Sequence, residues 1–191
     1  VWRNLWGQGE LPFYEVELAP FVYGGDGTSG ARIREAQRKA VELIPNSGIV
    51  STNDLVYPYE YDEIHPRRKK EVGERLSYLA LNRTYGMGYL PFEGPRFKSY
   101  EVRGGEIEVA FHNGERGFSP WHDIVGFEIA GEDKVFHPAE IRRGTQLNTV
   151  IVKSDKVPAP VAVRYCFRDF QIGNFTGQRC LPVIPFRTDN W

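Results

Sequence analysis

One histidine in this sequence lies in a setting that suits general base catalysis. His65 follows Asp62 by three residues, within the segment 61–66. An imidazole titrates near neutral pH, and a carboxylate beside it can hold its tautomer and stabilise its cation. The spacing allows the two side chains to meet across one turn of a loop. The pair predicts the base half of a hydrolytic triad, and a solvated histidine on a surface loop is the alternative.

A helix is predicted to begin directly after this histidine. Pro66 suits the first helical position, because its fixed φ angle matches a helix and its missing N–H is not needed there. The predicted helix runs from Arg67 to about Tyr85, and Gly86 supplies the usual stop. His65 would then lie on the loop before the helix, from which its side chain can reach into a cleft.

The first turn of this helix is strongly basic. Arg67, Arg68, Lys69 and Lys70 follow one another where the helix dipole disfavours positive charge. A local rule broken beside a candidate catalytic residue favours a functional interpretation, in which Arg67 and Arg68 attract an anionic substrate. The alternative is a solvated face whose charge is partly neutralised by Glu71.

Three tyrosines precede the histidine along the chain. Tyr57, Tyr59 and Tyr61 alternate with other residues in the loop before it. Aromatic rings offer large apolar faces with a polar tip, so they can stack against a sugar. The pattern predicts a substrate-binding wall that includes Tyr61, and rings that merely cover the loop are an equal alternative.

The elements that must position this loop alternate between strand and helix. Buried strands are predicted at 13–21 and 48–56, with an amphipathic helix at 31–44 between them. Such alternation is typical of a parallel sheet, in which ligands gather at the carboxyl ends of the strands. His65 follows the second strand and so falls at that edge. A doubly wound domain needs about four to six strands, so the front half of this sheet is predicted to lie outside the chain.

The apolar pattern changes after the first half of the chain. Residues 87–95 are rich in glycine and proline and predict a linker. Within 96–191, apolar residues recur at every second position, as they do over 107–111. Asn113-Gly114 is typical of a hairpin turn. This half predicts an antiparallel β-sandwich or jelly-roll-like domain.

Several segments resemble the sialate O-acetylesterase family of the SGNH/GDSL hydrolases. The Asp-x-x-His-Pro sequence followed by a basic helix is similar to the last conserved block of these enzymes. Five further segments agree with the family in the same order, at 11–21, 51–55, 127–131, 161–165 and 185–191. The chain thus looks like the carboxyl-terminal part of such an enzyme.

The resemblance implies a fold class of α/β followed by β. Residues 1–86 would form the carboxyl-terminal half of a flavodoxin-like, three-layer α/β/α SGNH domain. Residues 87–95 would be the linker, and residues 96–191 would be the β-sandwich domain. The missing amino-terminal half of the hydrolase domain would be a partner, supplied by another chain or by a longer protein.

The same resemblance implies removal of O-acetyl groups from sialic acids by a Ser-His-Asp mechanism. His65 would take the proton of the serine, and Asp62 would orient the imidazole. In many relatives the acid stands immediately before the isoleucine, a position that Glu63 holds here. Asp62, Glu63 and a backbone carbonyl therefore remain open, and Asp62 matches the spacing of the wider superfamily. No segment resembles the serine block, so the nucleophile is expected outside this chain.

Two other functions stay open at this point. The chain could belong to an acetylesterase for a neutral polysaccharide such as xylan, or it could be a non-catalytic glycan-binding module. The net charge of −1 implies no general attraction to nucleic acid or membranes. No apolar run approaches the roughly 20 residues of a membrane span. The resemblance further implies a secreted or exported protein.

No cofactor or metal is predicted. His112, His122 and His137 match no known spacing of metal ligands. Cys166 and Cys180 could pair as a disulfide across a turn-rich stretch, and two free thiols are nearly as consistent with the sequence.

Overall fold

The amino-terminal part of the chain is built on two parallel strands. A computed structural model describes residues 1–191. It pairs β1 (Phe13–Val16) with β2 (Ser47–Val50) in parallel, with Phe13 opposite Ser47. Both strands are shorter than predicted, because the chain leaves the sheet where polar residues begin at Glu17 and Ser51.

Three helices accompany this pair. The short α1 (Trp2–Trp6) precedes β1, α2 (Ser29–Leu43) connects β1 to β2, and α3 (Lys69–Arg83) follows β2. α3 packs closely on β2 because Gly48 has no side chain. A Cβ atom there would lie 2.9 Å from Cδ1 of Leu79. None of the helices combines the length and apolar character needed to cross a membrane.

The remainder of the chain forms antiparallel sheets. One four-stranded sheet has the order β3-β4-β9-β8, a second has the order β12-β10-β6-β7, and β5 pairs with β11. The strands are β3 (Arg96–Arg103), β4 (Glu106–His112), β5 (Phe118–Ser119), β6 (Phe127–Ala130), β7 (Phe136–Pro138), β8 (Glu140–Arg143), β9 (Thr149–Lys153), β10 (Ala162–Tyr165), β11 (Thr176–Gly177) and β12 (Phe186–Arg187).

The two four-stranded sheets share one hydrophobic core. Val109 and Val150 come from one sheet, and Ile129 and Val163 come from the other; all four are fully buried in the same cluster. The alternating apolar pattern of the sequence arises because successive side chains of a strand point to opposite faces. Phe186 of β12 closes the cluster, and its ring stacks on that of Phe97. The chain is therefore α/β followed by β, as predicted.

The finer parts of the predicted fold go beyond what the strand pairing shows. Two parallel strands do not by themselves make a three-layer SGNH half, and the strand order does not by itself make a jelly roll. The predicted hairpin turn at Asn113-Gly114 is wrong, because β4 does not pair with the next strand, β5. The hairpin of this region joins β3 to β4 and turns at Gly104, whose φ of 62° suits glycine.

The predicted disulfide is also wrong. Cys166 and Cys180 are both free thiols. Cys166 is buried in the core of the sandwich, against Gly126 and Gly173. Cys180 is exposed in the turn after β11, so packing separates two sulfurs that the sequence places near one another.

Candidate functional site

The candidate histidine lies on the loop that joins β2 to α3. This loop leaves β2 at the carboxyl end of the parallel pair. Its first residues, Ser51, Thr52 and Asn53, are buried, whereas His65 near its end is exposed. The structure therefore places the imidazole where a substrate can approach it, on a loop whose beginning is fixed in the protein interior.

A single buried carboxylate closes this loop. Glu60 is 1% exposed, and its carboxylate accepts hydrogen bonds from the backbone N–H of Tyr57 at 2.9 Å and of Arg67 at 3.0 Å. The segment between these two residues carries His65. A charge-assisted hydrogen bond to each side of that segment fixes its two ends relative to one another.

The start of α3 differs from the prediction for the same reason. The helix begins at Lys69, so Pro66 lies in the loop, where it is buried, and does not occupy the first helical position. Arg67 donates its N–H to Glu60, and Arg68 has a non-helical ψ of 53°. A hydrogen bond within the loop thus holds Arg67 outside the helix, which begins at Lys69 and not at the predicted Pro66 or Arg67.

The base of the loop is tied to α3 by an ion pair. Arg75 donates to both carboxylate oxygens of Asp54, at 2.7 and 2.6 Å, and to the carbonyl of Ser51 at 2.8 Å. Arg68 donates to the carbonyl of Asp54 at 3.0 Å and to Glu71 at 2.9 Å. The hydrogen bond with Glu71 raises the pKa of Arg68. The loop is therefore fastened to the helix that follows it.

A second buried carboxylate connects the ends of the two strands. Glu17 is the first residue after β1 and is 2% exposed. It accepts hydrogen bonds from the Ser51 hydroxyl at 2.9 Å, from the Thr52 N–H at 3.2 Å and from Arg38 at 2.8 Å. The Ser51 hydroxyl is thus buried and bonded to a carboxylate, which is not the setting of an attacking nucleophile.

The structure does not bring Asp62 and His65 into hydrogen-bond contact. Asp62 is exposed, and the His65 imidazole has no hydrogen-bond partner within the chain. Glu63 accepts a hydrogen bond from the backbone N–H of His65 at 2.9 Å, so its carboxylate holds the backbone and not the ring. The assignment of Asp62 as the orienting acid stays a prediction.

Aromatic and cationic side chains belong to the same loop as the histidine. The rings of Tyr57 and Tyr59 are stacked, with centroids 5.3 Å apart and an angle of 7° between planes. The Arg67 guanidinium lies 5.5 Å from the Tyr59 centroid, and that of Arg68 lies 5.9 Å from the Tyr57 centroid. Tyr61 has an exposed ring, and its carbonyl accepts the Val22 N–H at 3.0 Å. The structure thus groups Tyr57 and Tyr59 with the predicted arginines.

The β-sandwich contacts the same edge of the parallel pair. The Asp169 carboxylate accepts the Gly30 N–H at 2.6 Å, and its carbonyl accepts the Phe21 N–H at 3.1 Å. Arg34 of α2 is buried and donates to the carbonyl of Arg168. The segment that follows β10 therefore braces the loop after β1, which in turn contacts the histidine loop.

Two further chemical possibilities can be assessed from the geometry. Burial raises the pKa of the Cys166 thiol to about 12, so the thiol stays protonated at neutral pH and is not a nucleophile. Nowhere do three or more His, Cys, Asp or Glu side chains gather in a way that could hold a metal ion.

The sequence interpretation missed three of the carboxylates that build this region. Glu60 had a local signal, since Pro58 and Glu60 follow Tyr57 in a capping-box arrangement. Glu17 and Asp169 had none, because their partners are distant; Asp169 and Gly30 are 139 residues apart. Such contacts follow from the tertiary fold alone.

Comparison with solved structures gives a strong likeness over the whole chain. No protein-family model matches the chain, and no curated protein sequence matches it. Among solved structures, the chain is similar to a carbohydrate acetylesterase from Xanthomonas citri, with a TM-score of 0.86 and 38% sequence identity. The likeness covers 100% of this chain and 44% of that chain. This chain therefore spans less than half of the length of the structure that it matches.

Proposed function

We propose that this chain is part of a carbohydrate esterase that removes O-acetyl groups, with His65 as the general base. The single observation that carries the proposal is the likeness of the whole chain to a carbohydrate acetylesterase at 38% identity. The site supports it independently, because an exposed imidazole stands at the carboxyl edge of parallel strands, where ligands of such sheets bind.

The proposed reaction is acyl transfer through a serine. The serine oxygen would attack the acetyl carbonyl while His65 accepts the hydroxyl proton, and the imidazolium would return that proton to the departing sugar oxygen. Water, deprotonated by the same imidazole, would then release acetate from the serine. The serine and the oxyanion donors would come from outside the chain, because no segment resembles the serine block of the family. Ser51, at the end of β2, is buried against Glu17.

The identity of the sugar is the finer part of the proposal. The sequence resemblance favours an O-acetylated sialic acid, and the exposed Arg67 beside Tyr59 suits its carboxylate. Acetylated xylan is the neutral alternative, and the description of the solved relative, a carbohydrate acetylesterase, covers both. Hydrolysis rates on O-acetylated sialic acid and on acetylated xylan distinguish the two substrates.

The test of the proposed function uses a longer protein that contains this chain and the missing half. His65→Ala should lower kcat by about a thousandfold or more, as loss of one member of a cooperating triad does. His122→Ala is the matched control, because the ring of that exposed histidine has Asp123 as its polar partner and lies outside the candidate loop, so kcat should be unchanged. Residues 1–191 alone should leave p-nitrophenyl acetate at the background rate.

Three outcomes would contradict the proposal. They are full activity of the His65→Ala variant, full activity of residues 1–191 alone, and a longer protein that binds glycans but releases no acetate. The last result would identify a glycan-binding module. Within the active enzyme, Asp62→Asn should cost more activity than Glu63→Gln, and the reverse order would reassign the orienting acid.

A further inference from the structure

A polar cleft lies at the end of α3 that is remote from His65. It has a volume of about 450 Å³. Its walls come from the end of α3, from residues 88–96, and from two turns of the β-sandwich at 113–116 and 177–181. The volume falls within the range of about 300–1,000 Å³ that is usual for small-ligand sites. No residue of the candidate catalytic loop lines this cleft.

The cleft holds an excess of unpaired positive charge. Arg83, Arg116 and Arg179 all line it, and none of them forms an ion pair with a carboxylate of the chain. The fourth arginine of the cleft, Arg96, is already paired with Glu93 at 3.7 Å. Three arginines from three separate segments therefore line one cleft, and none of them has a carboxylate partner in the chain.

The opposing negative charge in the cleft is small. Glu93 forms an ion pair with Arg96 at 3.7 Å and accepts a hydrogen bond from Asn113 at 3.0 Å. Glu115 is the one other carboxylate in the lining. Four arginines thus face two glutamates across the cleft, and the local field favours an anion.

Hydrogen bonds fix the segments that carry these arginines. Asn82 donates to the Leu90 carbonyl at 2.8 Å, which holds residues 88–90 against the end of α3. Arg83 lies over the ring of Phe92, with its guanidinium carbon 4.8 Å from the centroid. The two walls are therefore joined along one side of the cleft.

The two sandwich turns are joined to each other as well. Gln178 donates its backbone N–H to the Gly117 carbonyl at 3.1 Å and its side-chain amide to the Phe118 carbonyl at 2.8 Å. Arg116 and Arg179 each stand next to one of these joined residues. Their Cα positions are thus set by the scaffold, and only the side chains need to order on binding.

From these observations we propose that the cleft binds a carboxylate-bearing sugar unit. A guanidinium matches a carboxylate through two parallel N–H···O bonds, which makes arginine the preferred partner of that group. The arginines of the cleft are the reason to expect a carboxylate. The proposed function of the chain is the reason to expect that a sugar carries it. A uronic acid unit and a sialic acid unit share this chemistry.

The cleft is separate from the candidate catalytic loop, so it would serve the proposed esterase as an accessory site. α3 has 15 residues, from Lys69 beside the histidine loop to Arg83 at the cleft. At a rise of about 1.5 Å per residue, the helix separates the two regions by roughly 21 Å. A glycan would thus be held at the cleft by a unit several sugars away from the ester that is hydrolysed.

The experiment measures binding by residues 1–191 with isothermal titration calorimetry at low salt. The probes are trigalacturonate and 3′-sialyllactose, and the neutral controls are xylotriose and lactose. The acidic probes should bind and the neutral ones should not. Arg116→Gln and Arg83→Gln should each raise Kd by roughly tenfold, the size of one lost charge-assisted hydrogen bond. The affinity should also fall as salt rises.

The matched control is Lys156→Gln. Lys156 is exposed and unpaired, and it lies at the Gly105 end of β4, opposite the Asn113 end that borders the cleft. This variant removes the same charge and should leave Kd unchanged. An equal loss in Lys156→Gln, equal binding of neutral and acidic sugars, or no binding of either acidic probe would overturn the proposal.

The result is independent of the esterase assay. Binding that depends on Arg83 and Arg116 would stand even if the longer protein released no acetate, and an active esterase without cleft binding would refute only the accessory site. Preference for trigalacturonate or for 3′-sialyllactose decides whether the carboxylate comes from a uronic acid or from a sialic acid.

Discussion

Arg67 and Arg68 are neighbours in the sequence but are held in different ways. Arg68 donates to Glu71 and to the carbonyl of Asp54, so its guanidinium is already engaged by the protein. The side chain of Arg67 is 75% exposed, and its nearest carboxylate, that of Glu60, is 3.8 Å away. Of the two arginines predicted to bind substrate, Arg67 is the one whose guanidinium is open to an anion.

Replacement of Arg67 tests whether it steers an acidic substrate. In the longer protein, Arg67→Gln should lower kcat/KM severalfold on O-acetylated sialic acid, and the loss should fade as salt rises. The same variant should leave kcat/KM on a neutral acetyl ester unchanged. Arg68→Gln should instead affect both substrates equally, because it loosens the loop. Equal losses with Arg67→Gln on both substrates would remove the steering role.

Two glycines, Gly173 and Gly73, differ in the space around them, and this difference predicts opposite effects of alanine on stability. A Cβ atom added to Gly173 would lie 2.4 Å from the Tyr165 hydroxyl and 2.9 Å from the Asn53 amide nitrogen. Gly173→Ala should therefore lower the free energy of unfolding by about 1–3 kcal/mol, as overpacking does. Chemical denaturation measures this change.

The matched control lies in the interior of α3. Gly73 has no atom within 4 Å of the position that a Cβ would take. Gly73→Ala should raise the free energy of unfolding by about 0.5–1 kcal/mol, because alanine loses less backbone entropy in a helix. A stabilising Gly173→Ala would show that the contact between Asn53 and the sandwich is not close-packed.

At the scale of elements, the histidine loop depends on a group that takes no part in chemistry. Glu60 bonds the backbone at both ends of the loop and is buried, so its charge is stabilised by those N–H groups. Arg67 adds a longer charge interaction at 3.8 Å. Glu60 is thus a positioning residue for His65. When its carboxylate is replaced, the loop should open more often.

Glu60→Gln tests this role with almost no change in size. It weakens two charge-assisted hydrogen bonds, and the free energy of unfolding should fall by about 1–3 kcal/mol. Hydrogen exchange of the amides between residues 61 and 67 should accelerate, since local opening becomes easier. Asp62→Asn is the control, because Asp62 is an exposed residue of the same loop whose carboxylate accepts no hydrogen bond. Unchanged exchange in Glu60→Gln would exclude the positioning role.

At the scale of the whole molecule, α2 and the β-sandwich are joined by an ion pair. Glu35 accepts hydrogen bonds from Arg187 of β12 at 2.9 and 3.3 Å, and Lys39 lies 3.3 Å from the same carboxylate. Partial burial acts to raise the pKa of Glu35, but the bonds to Arg187 and Lys39 outweigh it, and the pKa is lowered from its ordinary value of 4.5. The stabilisation that this ion pair gives to the junction should therefore be lost in acid.

The sign of this dependence follows from the direction of the shift. A carboxylate whose folded pKa lies below its unfolded value stabilises the fold fully above the unfolded pKa of about 4.5, and this stabilisation is lost as the pH falls through the folded pKa. Glu35→Gln should cost about 1 kcal/mol at pH 7. The difference from the parent protein should vanish in acid, which denaturation curves between pH 7 and pH 3 would measure.

A second glutamate of the same helix provides the control. Glu42 pairs with Arg96 of β3 at 3.4 Å, but its side chain is 64% exposed. Glu42→Gln should change the free energy of unfolding very little at either pH, because water screens an exposed pair. Equal effects of the two variants would show that the Glu35 contact does not hold α2 to the sandwich.

Local patterns determined much of what could be expected of this chain. The alternation of strand and helix before residue 87 and the two-residue period after residue 95 predicted α/β followed by β, because each periodicity reflects which side chains one element can bury. The same local reading placed His65 on a loop between a strand and a helix. Its setting beside a proline and a basic segment needed no tertiary information.

The tertiary structure decided the features that depend on distant partners. Glu17 joins the ends of both strands through Ser51, 34 residues away, and Asp169 reaches Gly30 across 139 residues. Cys166 packs in the core whereas Cys180 is exposed, so the two thiols do not pair. A buried polar group must find a hydrogen-bond partner wherever the fold places one, and that location cannot be read from the residues adjacent in sequence.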